Sequence, residues 1–228
     1  EARYLQIFKG DEIEFPEDGY QGEDIKDLAK EYADLNGDSL VNVSAEERKK
    51  ALVDYALPKN IKKMQADMEK YKIFYDKWFF ESELHKSGAV KAVVDLLTKK
   101  GLTYEKDGAV WYKNKEVLTQ KLLKEGKSQK YIDNLELKDD VLIRQNGNPT
   151  YFTADIAYHK NKFNRGFTTL IDVWGADHHG HVMRMKGAMD AIGYDGDKLN
   201  VVLMQLVKLV KDGELVRMSK RTGKSIQL

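Results

Sequence analysis

Between residues 167 and 210 the chain changes its periodicity twice. FTTLIDVWG (167–175) is an almost unbroken apolar run, and so is LNVVLMQLVKLV (199–210). Between them HVMRMKGAMDAIG (181–193) places Val182, Met185, Met189 and Ile192 at helical spacing. A strand, a helix and a second strand of this length join as parallel neighbours with the helix crossing over. Continuous apolar strands predict a sheet covered on both faces. An α/β fold is therefore expected at this end of the chain.

Upstream the pattern is mostly helical. GDEIEFPEDGYQG (10–22) is acidic and turn-rich and reads as a loop. EDIKDLAKEYADL predicts a helix ended by Asn36-Gly37, and Ser44-Ala45-Glu46-Glu47 is a capping box for a helix through Ala56. Pro58 is expected to restart a third helix. IFYDKWFF (73–80) is aromatic and strand-like. SGAVKAVVDLLTKKG is a fourth helix, with Val90, Val93, Val94 and Leu97 on one face and Gly101 closing it. TYEKDGAVWYK predicts a hairpin about Asp107-Gly108, and VLIRQNGNPTYF a second strand–turn–strand about Asn146-Gly147. The Lys-rich stretch 114–138 fits helix or loop, and DIAYHKNKF fits a helix. Asp212-Gly213 turns the chain near its end.

The 228 residues hold one large domain or two small ones. No apolar run approaches the ~20 residues of a membrane helix, and the first residues lack the apolar region of a signal peptide. The absence of cysteine excludes disulfides and thiolate metal sites and fits a reducing cytoplasm. The chain opens at Glu1 rather than Met, which leads us to expect a piece of a longer protein. A net charge of +1 hides an asymmetry: residues 1–40 carry twelve acidic and four basic side chains, so the remainder is about +9. A basic remainder suits an anionic ligand such as a nucleotide or RNA, though a solvated surface has the same composition.

Three stretches have residue types that carry chemistry. VWGADHHGH (173–181) ends a strand at Trp174-Gly175 and starts a helix near His179, the place where open α/β sheets gather ligands. Gly175 permits close approach to the backbone, and Asp177 suits ribose hydroxyls. His178 is matched to phosphate or a base. A metal site is a weaker alternative, since His178 and His181 have no evident third ligand; an ordinary helix cap is another. VRMSKRTGKS (216–225) has Arg217, Lys220, Arg221 and Lys224 among small residues, suited to phosphate oxygens or to a solvated loop. It lacks the P-loop pattern. In TYFTADIAYH (150–159), Tyr151 and Asp155 are four apart and make a seat for a cationic side chain, unless Thr153 or Asp155 is only a helix N-cap.

Together these stretches resemble a known family. VRMSKRTG resembles the KMSKS loop of class I aminoacyl-tRNA synthetases, with Arg217 in place of the first Lys. GADHHGHVMRMK, TYFTADIAYHKNKF, GAVWYK and YDKWFFESEL resemble the arginyl-tRNA synthetases in particular, in order and spacing, over nearly the whole chain. HHGH imitates the family's HIGH motif only in spelling: HIGH belongs to the first strand–helix unit, far upstream of KMSKS. It would lie before Glu1, and the anticodon-binding domain after the KMSKS loop.

The resemblance implies a partial Rossmann-type nucleotide-binding core over residues 141–228, with a mostly helical insertion over 1–140. It implies ATP-dependent attachment of arginine to its tRNA through arginyl-adenylate, with magnesium accompanying ATP and no zinc. Lys220 would stabilise the pyrophosphate, assisted by Arg217, while Met218 and Ser219 shape the loop. Gly175, Asp177 and His178 would line the adenosine pocket; Tyr151 and Asp155 would hold the arginine side chain. The expected partners are arginine, ATP and tRNA(Arg), with no membrane, for a cytoplasmic monomer. The 228 residues alone are expected to be inactive. The rivals are an arginine- or tRNA-binding module without catalysis, and another class I nucleotidyl transferase.

Overall fold

Tyr4 shows how the first residues acquire structure. Its ring is fully buried against Ala29, Ala33 and Leu40, and its hydroxyl donates to the Gly37 carbonyl (2.8 Å) while accepting from the Leu40 amide (3.1 Å). The computed structural model of the chain describes residues 1–205 and 207–215. Among the described residues two compact units emerge: residues 1–77 with 208–215, and residues 78–207. The expected division after residue 140 falls inside the second unit.

The first unit holds α1 (Ala2–Lys9), α2 (Glu23–Asn36), α3 (Ala45–Lys70) and a short hairpin of two strands, Val210–Lys211 and Glu214–Leu215. Gly37 ends α2 at φ 58°, and Ser44 Oγ accepts from the Glu47 amide to start α3, both as the sequence predicts. The buried Arg48 guanidinium donates to the carbonyls of Leu40, Val41 and Val43, so the loop between α2 and α3 finds its backbone partners in one side chain. Pro58 does not restart a helix. It lies within the single helix α3: its fixed φ suits the helix, and the hydrogen bond it cannot give to the Asp54 carbonyl is lost on an exposed face, where both residues meet solvent.

The second unit contains α4 (Glu81–Lys86), α5 (Ala89–Lys99), β1 (Thr103–Lys106), β2 (Ala109–Tyr112), α6 (Asn114–Lys124), α7 (Gln129–Asp133), β3 (Asp140–Ile143), α8 (Tyr151–Asn164), β4 (Leu170–Gly175), α9 (His179–Ile192) and β5 (Leu199–Met204). β1, β2 and β3 form an antiparallel sheet. Asp107 (φ 52°) and Gly108 (φ 72°) make the predicted hairpin turn, which needs positive φ at both positions. The aromatic run 73–80 is not a strand: among the described residues it forms no ladder, and it leads into α4 as irregular chain. The turn at Asn146-Gly147 forms, but the return strand is reduced to one bridge, Ile143 with Pro149. Pro149 has no amide to donate, and Thr150 then caps α8, its Oγ1 accepting from the Thr153 amide. The core packs Val93, Leu97, Tyr112, Leu142, Ile156, Met185, Met189 and Leu199 from α5, β2, β3, α8, α9 and β5.

β4 and β5 pair in parallel, Leu170 with Leu199 through to Gly175 with Met204, with α9 as the crossover. The expectation of burial on both faces is not met. Leu170, Asp172 and Leu199 face inward, whereas Ile171, Val173, Val202 and Met204 are exposed. Among the described residues this sheet has only two strands, and the helices packed on it cover one face. No described helix is long and apolar enough to cross a membrane.

Candidate functional site

Thr150 sets the site's first wall. As the N-cap it starts α8 at Tyr151, earlier than Thr153, so neither Thr153 nor Asp155 is the cap. Thr153 is buried and donates to the Leu142 carbonyl (2.8 Å). Asp155, Tyr158, His159 and Lys162 then fall at i, i+3, i+4 and i+7 along one stripe of α8. That stripe, with Asp172 and Trp174 of β4 and His178 and His181 beyond it, lines a cavity of about 390 Å³. Such a volume lies within the range of small-ligand sites.

The charges in this cavity are sorted. Asp172 is 8% exposed and both its oxygens are engaged: His159 Nε2 lies 2.5 Å from Oδ2, and the Lys162 ammonium 2.7 Å from Oδ1. Burial pushes its pKa up, but the hydrogen bonds and charges of His159 and Lys162 outweigh burial and hold the carboxyl below the usual carboxylate range. Asp155 is different. Its side chain is 47% exposed, and the imidazole Nε2 of His181 stands 3.3 Å from Oδ2 without hydrogen-bond geometry. That nitrogen is buried and has no hydrogen-bond partner among the described residues. Aromatic rings share the cavity with Asp155: Trp174 lies 5.2 Å from His181 and 6.3 Å from His178, and Tyr158 is in the same lining. An available carboxylate beside several rings suits a cation that is itself flat and delocalised.

The site residues expected from the sequence divide three ways. Asp155 and His178 line the cavity together. Gly175 closes β4, and Asp177 follows in a short 3₁₀ turn with its carboxylate in solvent, 3.8 Å from His178. Tyr151 is 78% exposed at the start of α8 and does not line the cavity. Arg217, Met218, Ser219 and Lys220 lie outside the described residues. The sequence left Tyr158, His159, Lys162, Asp172, Trp174 and His181 unassigned. One sign was present: an aspartate inside the apolar run LIDVWG must find a cationic partner if that strand is buried.

Among the described residues no three His, Asp or Glu side chains converge to hold a metal ion. A larger hollow of about 600 Å³ lies near Asn114 and Arg184. Lys138 and Arg184 both line it, and Arg184 is already committed: it pairs with Asp140 and lies over the Phe152 ring.

No protein-family model matches the chain. Curated relatives do. The arginine–tRNA ligase of Ruminiclostridium cellulolyticum is 54% identical over the whole chain, and that of Caldanaerobacter subterraneus 55%; in both cases the chain spans 38% of the relative's length. A solved arginyl-tRNA synthetase structure from Campylobacter jejuni superposes with a TM-score of 0.75 at 34% identity, covering 95% of this chain and 44% of that one. The Thermus thermophilus enzyme shares the fold at a TM-score of 0.55 and 17% identity. Over its full length, then, the chain belongs with the arginine–tRNA ligases, as a stretch a little over a third as long as those proteins.

Proposed function

We propose that the chain supplies the arginine seat and part of the ATP site of an arginine–tRNA ligase. The observation that carries this is Asp155: a half-exposed carboxylate without a cationic hydrogen-bond partner, ringed by Trp174, His178, His181 and Tyr158. A guanidinium meets a carboxylate through two parallel hydrogen bonds and stacks on aromatic faces, and this cavity offers both. Tyr151 serves at the cavity's rim rather than in it.

The rest of the proposal follows the family. β4, α9 and β5 form the C-terminal part of a Rossmann-type core. Gly175 and Asp177, at the carboxyl end of β4, receive the adenosine of ATP, where open sheets bind nucleotides. His178 stands between that region and the arginine cavity. The arginine carboxylate oxygen bonds to the α-phosphorus as the bond to the pyrophosphate oxygen breaks. Lys220 and Arg217 neutralise the charge that develops on the departing pyrophosphate, on a loop shaped by Met218 and Ser219. The terminal ribose hydroxyl of tRNA(Arg) then attacks the arginyl carbonyl and AMP leaves. No covalent enzyme intermediate is needed; positioning and charge stabilisation suffice. Magnesium accompanies ATP, zinc takes no part, and the protein works in the cytoplasm as a monomer.

The test is a chimera in which these 228 residues replace the matching stretch of the Ruminiclostridium cellulolyticum ligase. Arginine-dependent ATP–pyrophosphate exchange by the chimera, and none by the 228 residues alone, is the expected result. A folded chimera that exchanges with another amino acid, or exchange by the 228 residues alone, would overturn the proposal.

A further inference from the structure

His159 is held through both ring nitrogens. Nδ1 lies 2.7 Å from the main-chain carbonyl of Asp155, one helical turn back, and Nε2 lies 2.5 Å from Asp172 Oδ2 across on β4. A carbonyl oxygen only accepts, so Nδ1 carries a proton. Asp172 receives the Lys162 ammonium on its other oxygen, so both of its oxygens are engaged. The ring therefore bridges the main chain of α8 and the carboxylate on β4 through its two nitrogens.

Two consequences follow for the cavity. The Asp155 carbonyl is tied through the ring to β4, so the turn of α8 that carries the Asp155 side chain is anchored to the sheet. Asp172 is also spent. Of the two aspartates lining the cavity, Asp155 is the one with no lysine or arginine against it among the described residues; its neighbour is the His181 imidazole, 3.3 Å away. The charged and titratable groups sharing the cavity with His159 are Asp172 from β4, Asp155, Tyr158 and Lys162 from its own helix, and His178 and His181 beyond β4.

We propose that His159 is a positioning residue for cation recognition: held between the Asp155 carbonyl and the Asp172 carboxylate, it fixes the Asp155 turn and leaves Asp155 as the cation seat of the cavity. This rests on Asp155 being the seat for the arginine guanidinium. His159 does not touch the substrate. It acts through Asp155 and by withdrawing Asp172.

The first measurement reads the parent chain. In the ¹⁵N-histidine-labelled chain, long-range proton–nitrogen spectra should show His159 protonated on Nδ1, the signals being assigned by their loss in His159→Gln. A bare Nδ1 would overturn the proposal. The second measurement is arginine affinity by calorimetry for the parent chain, Asp155→Asn, His159→Phe and His159→Gln. Asp155→Asn and His159→Phe should each weaken arginine about tenfold, the size of one charge-assisted hydrogen bond. His159→Gln keeps an N–H for Asp172 and should recover part of the loss. If Asp155→Asn weakens arginine and both His159 variants bind as the parent does, the positioning role is wrong and the seat stands. If Asp155→Asn itself binds as the parent does, the seat is wrong.

Discussion

Asp155→Asn removes a negative charge and keeps the shape of the side chain. In the chimeric ligase the guanidinium of bound arginine then meets an amide in place of a carboxylate. A charge-assisted hydrogen bond is worth about 1.5–3 kcal/mol. The Asp155 side chain keeps 47% of its exposure, so water compensates part of the loss and the lower end applies. About 1.5 kcal/mol is a little over tenfold in affinity. The Michaelis constant for arginine should therefore rise about tenfold or more in steady-state ATP–pyrophosphate exchange. That for ATP should change little, because the proposed ATP contacts at Asp177 and Lys220 do not involve Asp155. An unchanged arginine constant would refute the reasoning. A loss of stability could not rescue it, because Thr150, not Asp155, caps α8.

Four further outcomes follow. Lys220→Ala should show the reverse pattern in the same assay, with turnover lost and arginine binding kept, because its contact matures in the transition state; equal losses in both would contradict it. The low Asp172 pKa has a definite sign. The folded-state value lies below the unfolded one, so this carboxylate's contribution to stability is present above about pH 4 and is lost as pH falls through the lowered value. Asp172→Asn should lower the melting temperature at pH 7 and flatten its acid limb; an unchanged acid limb would refute this. Thr150→Ala removes an N-cap and a 2.8 Å hydrogen bond to the Val141 carbonyl, and should cost about 1–2 kcal/mol in denaturant unfolding, with Thr150→Ser near the parent. Gly187→Ala would place a methyl group 2.6 Å from Leu118 Cδ2, where α6 meets α9, and should cost about 1–3 kcal/mol by overpacking; a neutral result would show that Leu118 has room to move.

Much of the fold is written in local signals. The Asp107-Gly108 turn, the Ser44 cap, the Gly37 stop and the apolar stripe of α5 all rest on contacts within a few residues, and each forms as expected. Where tertiary surroundings decide, the sequence misleads. Pro58 reads as a helix start, yet an exposed face lets a helix pass through it. IFYDKWFF has strand composition but forms no ladder among the described residues. The apolar strands β4 and β5 read as buried on both faces, while only one face is covered among the described residues.

The candidate site divides in the same way. Asp155 was legible because a carboxylate near a helix start invites a chemical explanation. Its wall was not. Asp172 and Trp174 belong to β4, and only the crossing of α8 over that strand brings them to Asp155. Lys162 and His159 look like two of many surface cations until Asp172 is found between them. Tyr151, marked by its spacing to Asp155, is the first residue of α8, 78% exposed, and does not line the cavity.

The most direct test of the central claim compares arginine with citrulline, which has nearly the same shape but carries a neutral urea in place of the guanidinium. Calorimetric titration of the 228-residue chain should show arginine binding at least tenfold more tightly than citrulline, and Asp155→Asn should abolish the difference. Equal affinities for the two in the parent chain, or a preference that survives Asp155→Asn, would contradict the assignment of this cavity as the arginine seat.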